Sequence, residues 1–147
     1  MSHTFALQHL DTPADLRRAF AVMQELRPHL RDVEQFVAQL IRQQERGYRL
    51  PAALEGDQVV GLAGYRLTEN LLYGRFVYVD DLVVTARLRR TQVGAQLLDG
   101  ARAQAVEHDC KTFVLDTGLD MALAQRFYFR QGLLARGMHF VQPLQPR

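Results

Sequence analysis

The stretch of sequence that points most clearly to chemistry runs from Tyr78 to Leu98. An apolar strand ends at Val84, an arginine-rich loop follows, and a helix opens near Gln92 and Gly94. The first amides of a helix lack partners and the helix dipole is positive there, so this point attracts anions. Gly94 lets the backbone approach a bound group closely, and arginines add charge-assisted hydrogen bonds to phosphate. The pattern favours a phosphate or pyrophosphate cradle, although an ordinary strand-to-helix turn with solvated arginines has the same pattern. The arginines of the loop are Arg87, Arg89 and Arg90.

Length and composition indicate an ordinary globular domain. The 147 residues, of 16.8 kDa, are the usual size of one domain and too few for two. A net charge of +2 is too weak to demand a nucleic-acid partner, and the single cysteine, Cys110, excludes an internal disulfide. The chain starts without the pattern of a signal peptide, and no apolar run approaches the roughly 18 residues of a membrane helix. We therefore expect a cytoplasmic protein with neither a membrane nor a nucleic acid as its partner.

The periodicity of apolar residues predicts a mixed α/β fold in the order β, α, α, β, β, β, α, β, α, β. The segment Thr68 to Arg75 reads as a longer connection between two of the strands. The third helix links two strands that should run parallel. The predicted helices start at Thr12 and end near Leu26, start at Asp32 and end by Gly47, and cover Gln92 to His108 and Ala122 to Gln131. The predicted strands are Thr4 to Leu10, Leu50 to Leu54, Val59 to Leu67, Phe76 to Val84, Thr112 to Asp116 and Arg136 to Gln142.

The loop and helix after Val84 resemble the acetyl-CoA-binding motif of the GNAT superfamily of N-acetyltransferases. The chain reads LVVTARLRRTQVGAQLL there, and the family motif reads Arg or Gln, two residues, Gly, one residue, then Gly or Ala. Arg89 takes the first position, Gly94 the last, and Val93 the aliphatic position between the glycines. Gln92 replaces the first glycine, so a side chain stands where the backbone of relatives approaches the pyrophosphate.

A second stretch, near the C-terminus, is also similar to this family. Residues Ala124 to Tyr128, followed by Gln131-Gly132-Leu133, resemble its pattern of Ala, two residues, Phe-Tyr and then Gly-Phe. Met121 stands where relatives commonly have an asparagine. The resemblance extends from Thr4 to Gln142 and implies one domain over residues 1–147. The fold it implies is a mixed, mostly antiparallel sheet with a central parallel strand pair splayed apart and helices on both faces.

The resemblance implies acetyl-CoA as co-substrate and no metal. In relatives a backbone amide at the end of the motif strand holds the thioester carbonyl, and the following loop and helix bind the pyrophosphate. Donors aimed at a developing oxyanion are usually the largest electrostatic contribution to catalysis. The matching positions for the carbonyl are Leu82, Val83 and Val84, and those for the pyrophosphate are Arg89, Arg90, Thr91, Gln92, Val93, Gly94 and Ala95.

The family transfers the acetyl group directly to an amine, which must first lose a proton because its pKa is about 10.4. A carboxylate that reaches the amine through water could accept that proton. Asp80 is the favoured base, since polyamine-acetylating relatives have Tyr, any residue, Glu, Asp at the matching place. Adjacent strand residues alternate in direction, so only one of Asp80 and Asp81 should face the cleft. Asp81 then becomes a substrate-binding candidate, and both acids could instead pair with surface arginines.

Tyr128 is the candidate general acid, because the resemblance places its phenol where it can protonate the leaving thiolate of coenzyme A. The alternative is a plain core tyrosine. Asp116, at the end of the other splayed strand, is a weaker candidate for holding a cationic substrate. His108 and His139 have no evident partner in the sequence and read as surface histidines.

These observations predict an N-acetyltransferase that moves an acetyl group from acetyl-CoA to a primary amine of a small molecule. The main alternative is a non-catalytic coenzyme A binder that controls a partner, which the loss of the glycine at Gln92 favours. A polyanion-binding module that uses the loop arginines would leave Tyr128 and Gly94 unexplained. The acceptor classes compatible with the sequence are a polyamine, an amino-acid derivative, an antibiotic and a protein N-terminus. A homodimer is a further expectation, because dimers are common in similar proteins.

Overall fold

Strands and helices follow one another in the order of a mixed α/β fold. The computed structural model describes residues 5–145. A short 3-10 turn, Ala86–Leu88, follows the longest pair of strands. The strands are β1 (Ala6–His9), β2 (Tyr48–Arg49), β3 (Pro51–Glu55), β4 (Gln58–Asn70), β5 (Gly74–Val84) and β6 (Thr112–Leu115). The helices are α1 (Pro13–Arg18), α2 (Phe20–Leu26), α3 (Val33–Gln44), α4 (Val93–Glu107) and α5 (Ala122–Arg130).

The strands form one six-stranded sheet in the order β1-β3-β4-β5-β6, and β2 pairs with β4 beside this path. Every pair is antiparallel except β5 with β6, which run parallel from Phe76 opposite Thr112 to Val79 opposite Leu115. β5 then continues to Val84 without β6 beside it. The prediction of a mostly antiparallel sheet with a parallel pair that separates is therefore confirmed.

Successive strand residues point to opposite faces of the sheet, so both faces of this sheet carry apolar side chains. Helices cover these side chains on both faces. On one face α1, α2 and α3 cover a core that contains Leu62 and Val83. On the other face α4 packs on Val60 and Val77. At Gly61 a Cβ atom would lie 2.8 Å from Leu97 of α4, so the missing side chain lets the helix approach β4 closely.

Local signals explain where the first helices begin and end. The Thr12 hydroxyl accepts a hydrogen bond from the Asp15 amide, and Pro13 occupies the first turn of α1. Asp32 caps α3 in the same way. The single helix expected up to Leu26 is divided into α1 and α2 at Ala19, which keeps a helical φ of −82°.

The prediction of a long connection from Thr68 to Arg75 is wrong. β4 and β5 continue their ladder to the pair Asn70 and Gly74, so only Leu71–Tyr73 forms the turn. The Asn70 side chain accepts the Tyr73 amide at 2.7 Å, and Gly74 has a φ of +69°. The polar, exposed residues at the strand ends carry no apolar alternation, which is why the pattern misses this extension.

The chain divides after Leu115 into two compact units. In the second unit α5 ends at Arg130, and Gly132, two residues later, turns the chain away with a φ of +89°. The strand expected from Arg136 to Gln142 is wrong, because residues 134–145 form no backbone hydrogen bond with any other residue that the structure describes. A β-strand is stabilised by hydrogen bonds to a neighbouring strand, and alternation of apolar residues alone does not provide those bonds. Thr4, the start of the expected first strand, lies outside the described residues.

Candidate functional site

The junction between β5 and α4 presents free backbone donors. Thr91 accepts the Val93 amide at 3.4 Å and donates to the Leu88 carbonyl. The next two amides, of Gly94 and Ala95, donate to no acceptor within the part of the chain that the structure describes. These unpaired amides at the positive end of a 15-residue helix form a favourable place for an anion.

Gln92, which replaces the motif glycine, does not strain this junction. Its φ of −80° and ψ of −4° lie in the right-handed region that any residue adopts. Its side chain is exposed, beside the free amides. The backbone of the loop therefore adopts its path without the glycine.

The three loop arginines differ in how they are held. Arg87 forms an ion pair with Glu55. Arg89 donates to the Val84 carbonyl at 3.3 Å and lies 3.7 Å from Glu25. Arg90 is exposed, forms no ion pair with residues 5–145, and has a φ of +64°, which is strained for a residue with a side chain. Arg90 is thus the loop guanidinium most available to a bound phosphate.

Beyond Val79, the edge of β5 opposite β4 is no longer paired with β6, and some backbone amides at the end of β5 point to this open edge. The Thr85 amide donates to the Val60 carbonyl across the β4–β5 ladder. Amides alternate in direction along an antiparallel strand, so Val83 also points to β4 while Leu82 and Val84 point away from it. Val83 is also buried in the core. Of the three predicted carbonyl-binding positions, Leu82 and Val84 face the open edge and Val83 does not.

A β-bulge brings both adjacent carboxylates of β5 to the same face of the sheet. Gly64 pairs with Asp81 and Tyr65 with Val79, so Asp80 is an extra residue in the ladder. The partners of the two acids show the result. Asp80 binds Arg66 and Asp81 binds Tyr48, and these two partners lie opposite each other on β4 and β2. The expectation that the acids face opposite ways is wrong, because strict alternation ends at the bulge.

Asp80 is held by a two-pronged ion pair. Arg66 donates from Nε and Nη2 to the two carboxylate oxygens at 2.8 and 2.9 Å. The guanidinium also stacks on Tyr78, with its carbon 5.0 Å from the ring centroid. The Asp80 side chain is 25% exposed, so its carboxylate remains within reach of solvent and of a small ligand.

Asp81 is more enclosed, at 15% exposure, and has two different partners. Arg27, just after α2, donates to Asp81 Oδ1 and also to the Asp80 carbonyl oxygen, at 3.0 and 2.8 Å from Nη2. The Tyr48 hydroxyl donates to Asp81 Oδ2 at 2.8 Å. Burial, and next the Asp81 charge, raises the pKa of Tyr48 well above its ordinary value. The hydroxyl therefore stays a hydrogen-bond donor at neutral pH.

Sequence reasoning missed Arg27, Tyr48 and Arg66 because their partners lie far away in the chain. The nearest signal was Gly64, where a Cβ atom would lie 1.9 Å from the Tyr48 hydroxyl. A glycine within a strand indicates close approach of another group, and here that group is the tyrosine that holds Asp81.

A cavity of about 150 Å³ opens beside Asp81 on the face that α2 and α3 cover. Its floor is apolar and includes Phe36 and Leu40. Arg27, Asp81 and Gln43 contribute polar groups to its wall. Asp81 thus borders a small, partly open cavity in the first unit, and Asp80 is its neighbour along β5.

The second unit holds the remaining predicted site residues. Burial raises the pKa of the Tyr128 hydroxyl, so at neutral pH the phenol carries the proton that an acid must donate. Asp116 is exposed and its Oδ2 lies 3.3 Å from His139 Nδ1, so His139 has a partner that the sequence did not reveal. His108 Nδ1 lies 2.9 Å from the Gln104 carbonyl oxygen in the first unit.

The donors at the start of α4 fit the pyrophosphate of coenzyme A. Free amides at Gly94 and Ala95, with Arg90 beside them in the chain, supply hydrogen bonds and positive charge.

Among residues 5–145, no three His, Cys, Asp or Glu side chains group closely enough to hold a metal ion. Within the same range, no helix is both long and apolar enough to cross a membrane.

Comparison with known proteins identifies the family. The model of the acetyltransferase (GNAT) family matches residues 11–133. An uncharacterized N-acetyltransferase of Bacillus subtilis (strain 168), YhdJ, is 29% identical over 123 residues, which are 83% of this chain and 86% of that protein. The aminoalkylphosphonate N-acetyltransferase of Salmonella typhimurium (strain LT2) is 30% identical over 98 residues, 66% of this chain and 62% of that protein.

A solved structure has the same fold. The aminoglycoside N-acetyltransferase AAC(6')-Iy, in complex with CoA, superposes with a TM-score of 0.83 at 13% identity and covers 99% of both chains. The family match spans β5, the arginine loop, α4, α5 and the segment between β6 and α5, which together carry the predicted site residues. The chain therefore belongs to the acetyltransferase (GNAT) family.

Proposed function

We propose that this acetyltransferase moves an acetyl group from acetyl-CoA directly to a primary amine of a small molecule. The observation that carries the proposal is the start of α4, where the amides of Gly94 and Ala95 have no acceptor and Arg90, four residues before Gly94, has no ion pair in the part of the chain that the structure describes. The family match over residues 11–133 supports the reaction type. The co-substrate supplies an activated acetyl group as a thioester.

Asp80 is the proposed proton acceptor for the amine. A protonated amine cannot attack a carbonyl, and at pH 7 an amine with a pKa of about 10.4 is almost wholly protonated. Asp80 is more exposed than Asp81 and lacks the second donor that Tyr48 provides to its neighbour. Asp81 is the proposed substrate-binding carboxylate, and Asp116 is a second proposed ligand for a cationic group.

The amides of Leu82 and Val84 are the proposed donors to the thioester carbonyl oxygen. They point to the open edge of β5 and would stabilise the negative charge that develops on that oxygen. Tyr128 is the proposed acid for the leaving thiolate, supported by the burial that keeps its phenol protonated. The positions proposed to bind the pyrophosphate extend from Arg89 to Ala95.

The names of two similar proteins support a small-molecule acceptor. One acts on aminoalkylphosphonates and the other on aminoglycosides. The 150 Å³ cavity beside Asp81 is below the roughly 300 Å³ at which drug-sized ligands begin to fit, which favours an acceptor smaller than an aminoglycoside. A cytoplasmic location, the absence of nucleic-acid and membrane partners, and a homodimer remain predictions.

A panel of primary amines tests the proposal. Each amine is incubated with acetyl-CoA and the purified protein, and release of the free thiol is followed over time. We expect thiol release that depends on the amine, with an N-acetylated amine as product by mass spectrometry. Saturable acetyl-CoA binding without acetylation of any amine would instead support the non-catalytic coenzyme A binder.

A further inference from the structure

The cavity beside Asp81 presents hydrogen-bond donors that have no acceptor of their own. Arg27 uses Nε and Nη2 for Asp81 and for the Asp80 carbonyl, while its Nη1 has no hydrogen-bond partner among the described residues. Gln43 accepts from Gln39 through Oε1, which leaves its amide NH₂ as a donor. The exposed ring of His29 also lines the cavity.

The carboxylate of the same cavity is already in use. Asp81 is its one carboxylate among the lining residues, and both of its oxygens accept hydrogen bonds, from Arg27 and from the Tyr48 hydroxyl. A ligand that donates hydrogen bonds would therefore find its best acceptor occupied. A ligand that carries negatively charged oxygens would meet the unused donors and would not meet an unpaired acid.

The position of the cavity limits the length of such a ligand. It begins at Asp81, the neighbour of Asp80, and its apolar floor is formed by side chains such as Leu40 and Phe36. An amine at Asp80 could extend a short apolar chain over this floor. The anionic end of the chain would then reach the donors on the wall.

We propose that the acceptor is a short primary amine whose other end carries a carboxylate or phosphonate, held by Arg27, His29, Gln39 and Gln43. This inference rests on the proposed amine acetylation and adds the chemistry of the far end of the substrate. It selects against diamines and polyamines, whose second ammonium would meet the unused donors of Arg27 and Gln43.

Four amines with the same three-carbon chain test this specificity. They are n-propylamine, 1,3-diaminopropane, 3-aminopropanoate and 3-aminopropylphosphonate. We expect kcat/KM for at least one of the two anionic amines to exceed that for n-propylamine by about 10-fold or more, the size of a charge-assisted contact. Comparison of the two anionic amines identifies the preferred group. A diamine acetylated as well as the better anionic amine would overturn the proposal.

A variant that adds a negative charge to the cavity wall tests the proposed anion site. Gln43→Glu places a carboxylate among the donors and should lower kcat/KM for the preferred anionic amine by about 10-fold or more relative to n-propylamine. Gln35→Glu makes the same change on the exposed side of α3, outside the cavity, and should alter this ratio by less than about 2-fold.

Calorimetric titration of 3-aminopropanoate and 3-aminopropylphosphonate separates this inference from the proposed function. If no amine is acetylated but one of these probes binds and Gln43→Glu removes the binding, the proposed function fails and the anion site stands. If several amines are acetylated and Gln43→Glu leaves their order unchanged, the reaction stands and the anion site is overturned. Absence of both acetylation and binding would overturn both.

Discussion

Two adjacent carboxylates in β5 carry the amine side of the proposed chemistry, and each has its own arginine. Arg66 binds Asp80 and Arg27 binds Asp81, so the pair of negative charges is balanced within the fold. This balance allows two acids to stand side by side in a bulge without strong mutual repulsion. The less enclosed of them, Asp80, is the one that we expect to exchange a proton with the substrate.

Asp80→Asn should lower kcat/KM most strongly near neutral pH, by about 10²-fold or more. At high pH the free amine is abundant and needs no base, so the variant should approach the parent enzyme there. The measurement is kcat/KM for one accepted amine from pH 7 to the alkaline range. The matched control is Asp57→Asn in the β3–β4 turn, which should follow the parent profile.

A loss of equal size at every pH would contradict the role of Asp80 as a base. That result would mean that the carboxylate acts through its ion pair with Arg66, by fixing the bulge. The thermal stability of the Asp80→Asn variant, measured alongside, identifies such a structural effect.

Tyr128→Phe removes one hydroxyl and keeps the ring. The thiolate of coenzyme A leaves with a pKa of roughly 8.5, so an acid assists its departure without being indispensable. We expect turnover to fall by about two orders of magnitude, at the low end of general acid catalysis, with acetyl-CoA affinity nearly unchanged. Turnover and affinity are measured on the same preparation, and turnover within a few-fold of the parent would make Tyr128 a core tyrosine.

At the level of the elements, β5 determines most of the site. Its pairing with β6 stops at Val79, its bulge lies at Asp80, and its end at Val84 leads into the arginine loop. The sequence predicts the strand, the loop and the helix after it, because apolar runs and a helix start are local signals. It does not predict the bulge, since the register with β4 depends on residues remote in the chain.

The same reasoning explains the other errors of the sequence prediction. The ends of β4 and β5 are polar and exposed, yet they pair because the tight turn at Leu71–Tyr73 brings their backbones together. Arg136 to Gln142 has the apolar alternation of a strand but no ladder within the described residues. The periodicity of apolar residues indicates which side chains can share one face of an element. A strand also needs a neighbouring strand that accepts its backbone hydrogen bonds.

Tyr48→Phe tests the link between β2 and β5. Tyr48 is only 1% exposed and its hydroxyl donates to Asp81, so loss of the hydroxyl leaves a carboxylate with one donor fewer. We expect the free energy of unfolding to fall by about 2 kcal/mol at neutral pH. Urea denaturation of parent and variant gives this difference.

For the same variant we also predict how the free energy of unfolding depends on pH. Burial raises the pKa of Tyr48, whereas in the unfolded chain the phenol ionises near pH 10. The resulting stabilisation is complete below about pH 10 and is lost as the pH rises further. Tyr48→Phe should therefore lose less stability above pH 10 than the parent does, whereas Tyr73→Phe in the β4–β5 turn should follow the parent. A parent and a Tyr48→Phe variant with the same alkaline slope would contradict the burial of this hydroxyl.

At the scale of the whole molecule, the chain divides into a large unit and a small one after Leu115. Residues 116–145 contain one helix of nine residues within the described range. A segment of this size buries too little apolar surface to fold alone, and so short a helix is marginal in water. The single domain predicted from the sequence should therefore unfold in one transition.

Thermal unfolding followed by far-ultraviolet circular dichroism and by tyrosine fluorescence measures this cooperativity. We expect the two signals to change at the same temperature, with calorimetric and van't Hoff enthalpies in agreement. Two separated transitions would show that the two units fold independently.

The start of α4 is the proposed binding site for the pyrophosphate of acetyl-CoA. Gly94→Glu places a negative charge and a side chain against that anion, while an acidic residue in the first turn favours the helix itself. Ala103→Glu adds the same charge at an exposed position later in α4 and serves as the control. Titration calorimetry should show saturable acetyl-CoA binding to the parent and to Ala103→Glu, and none to folded Gly94→Glu. Undiminished binding to Gly94→Glu would contradict the assignment of this helix terminus as the coenzyme A site.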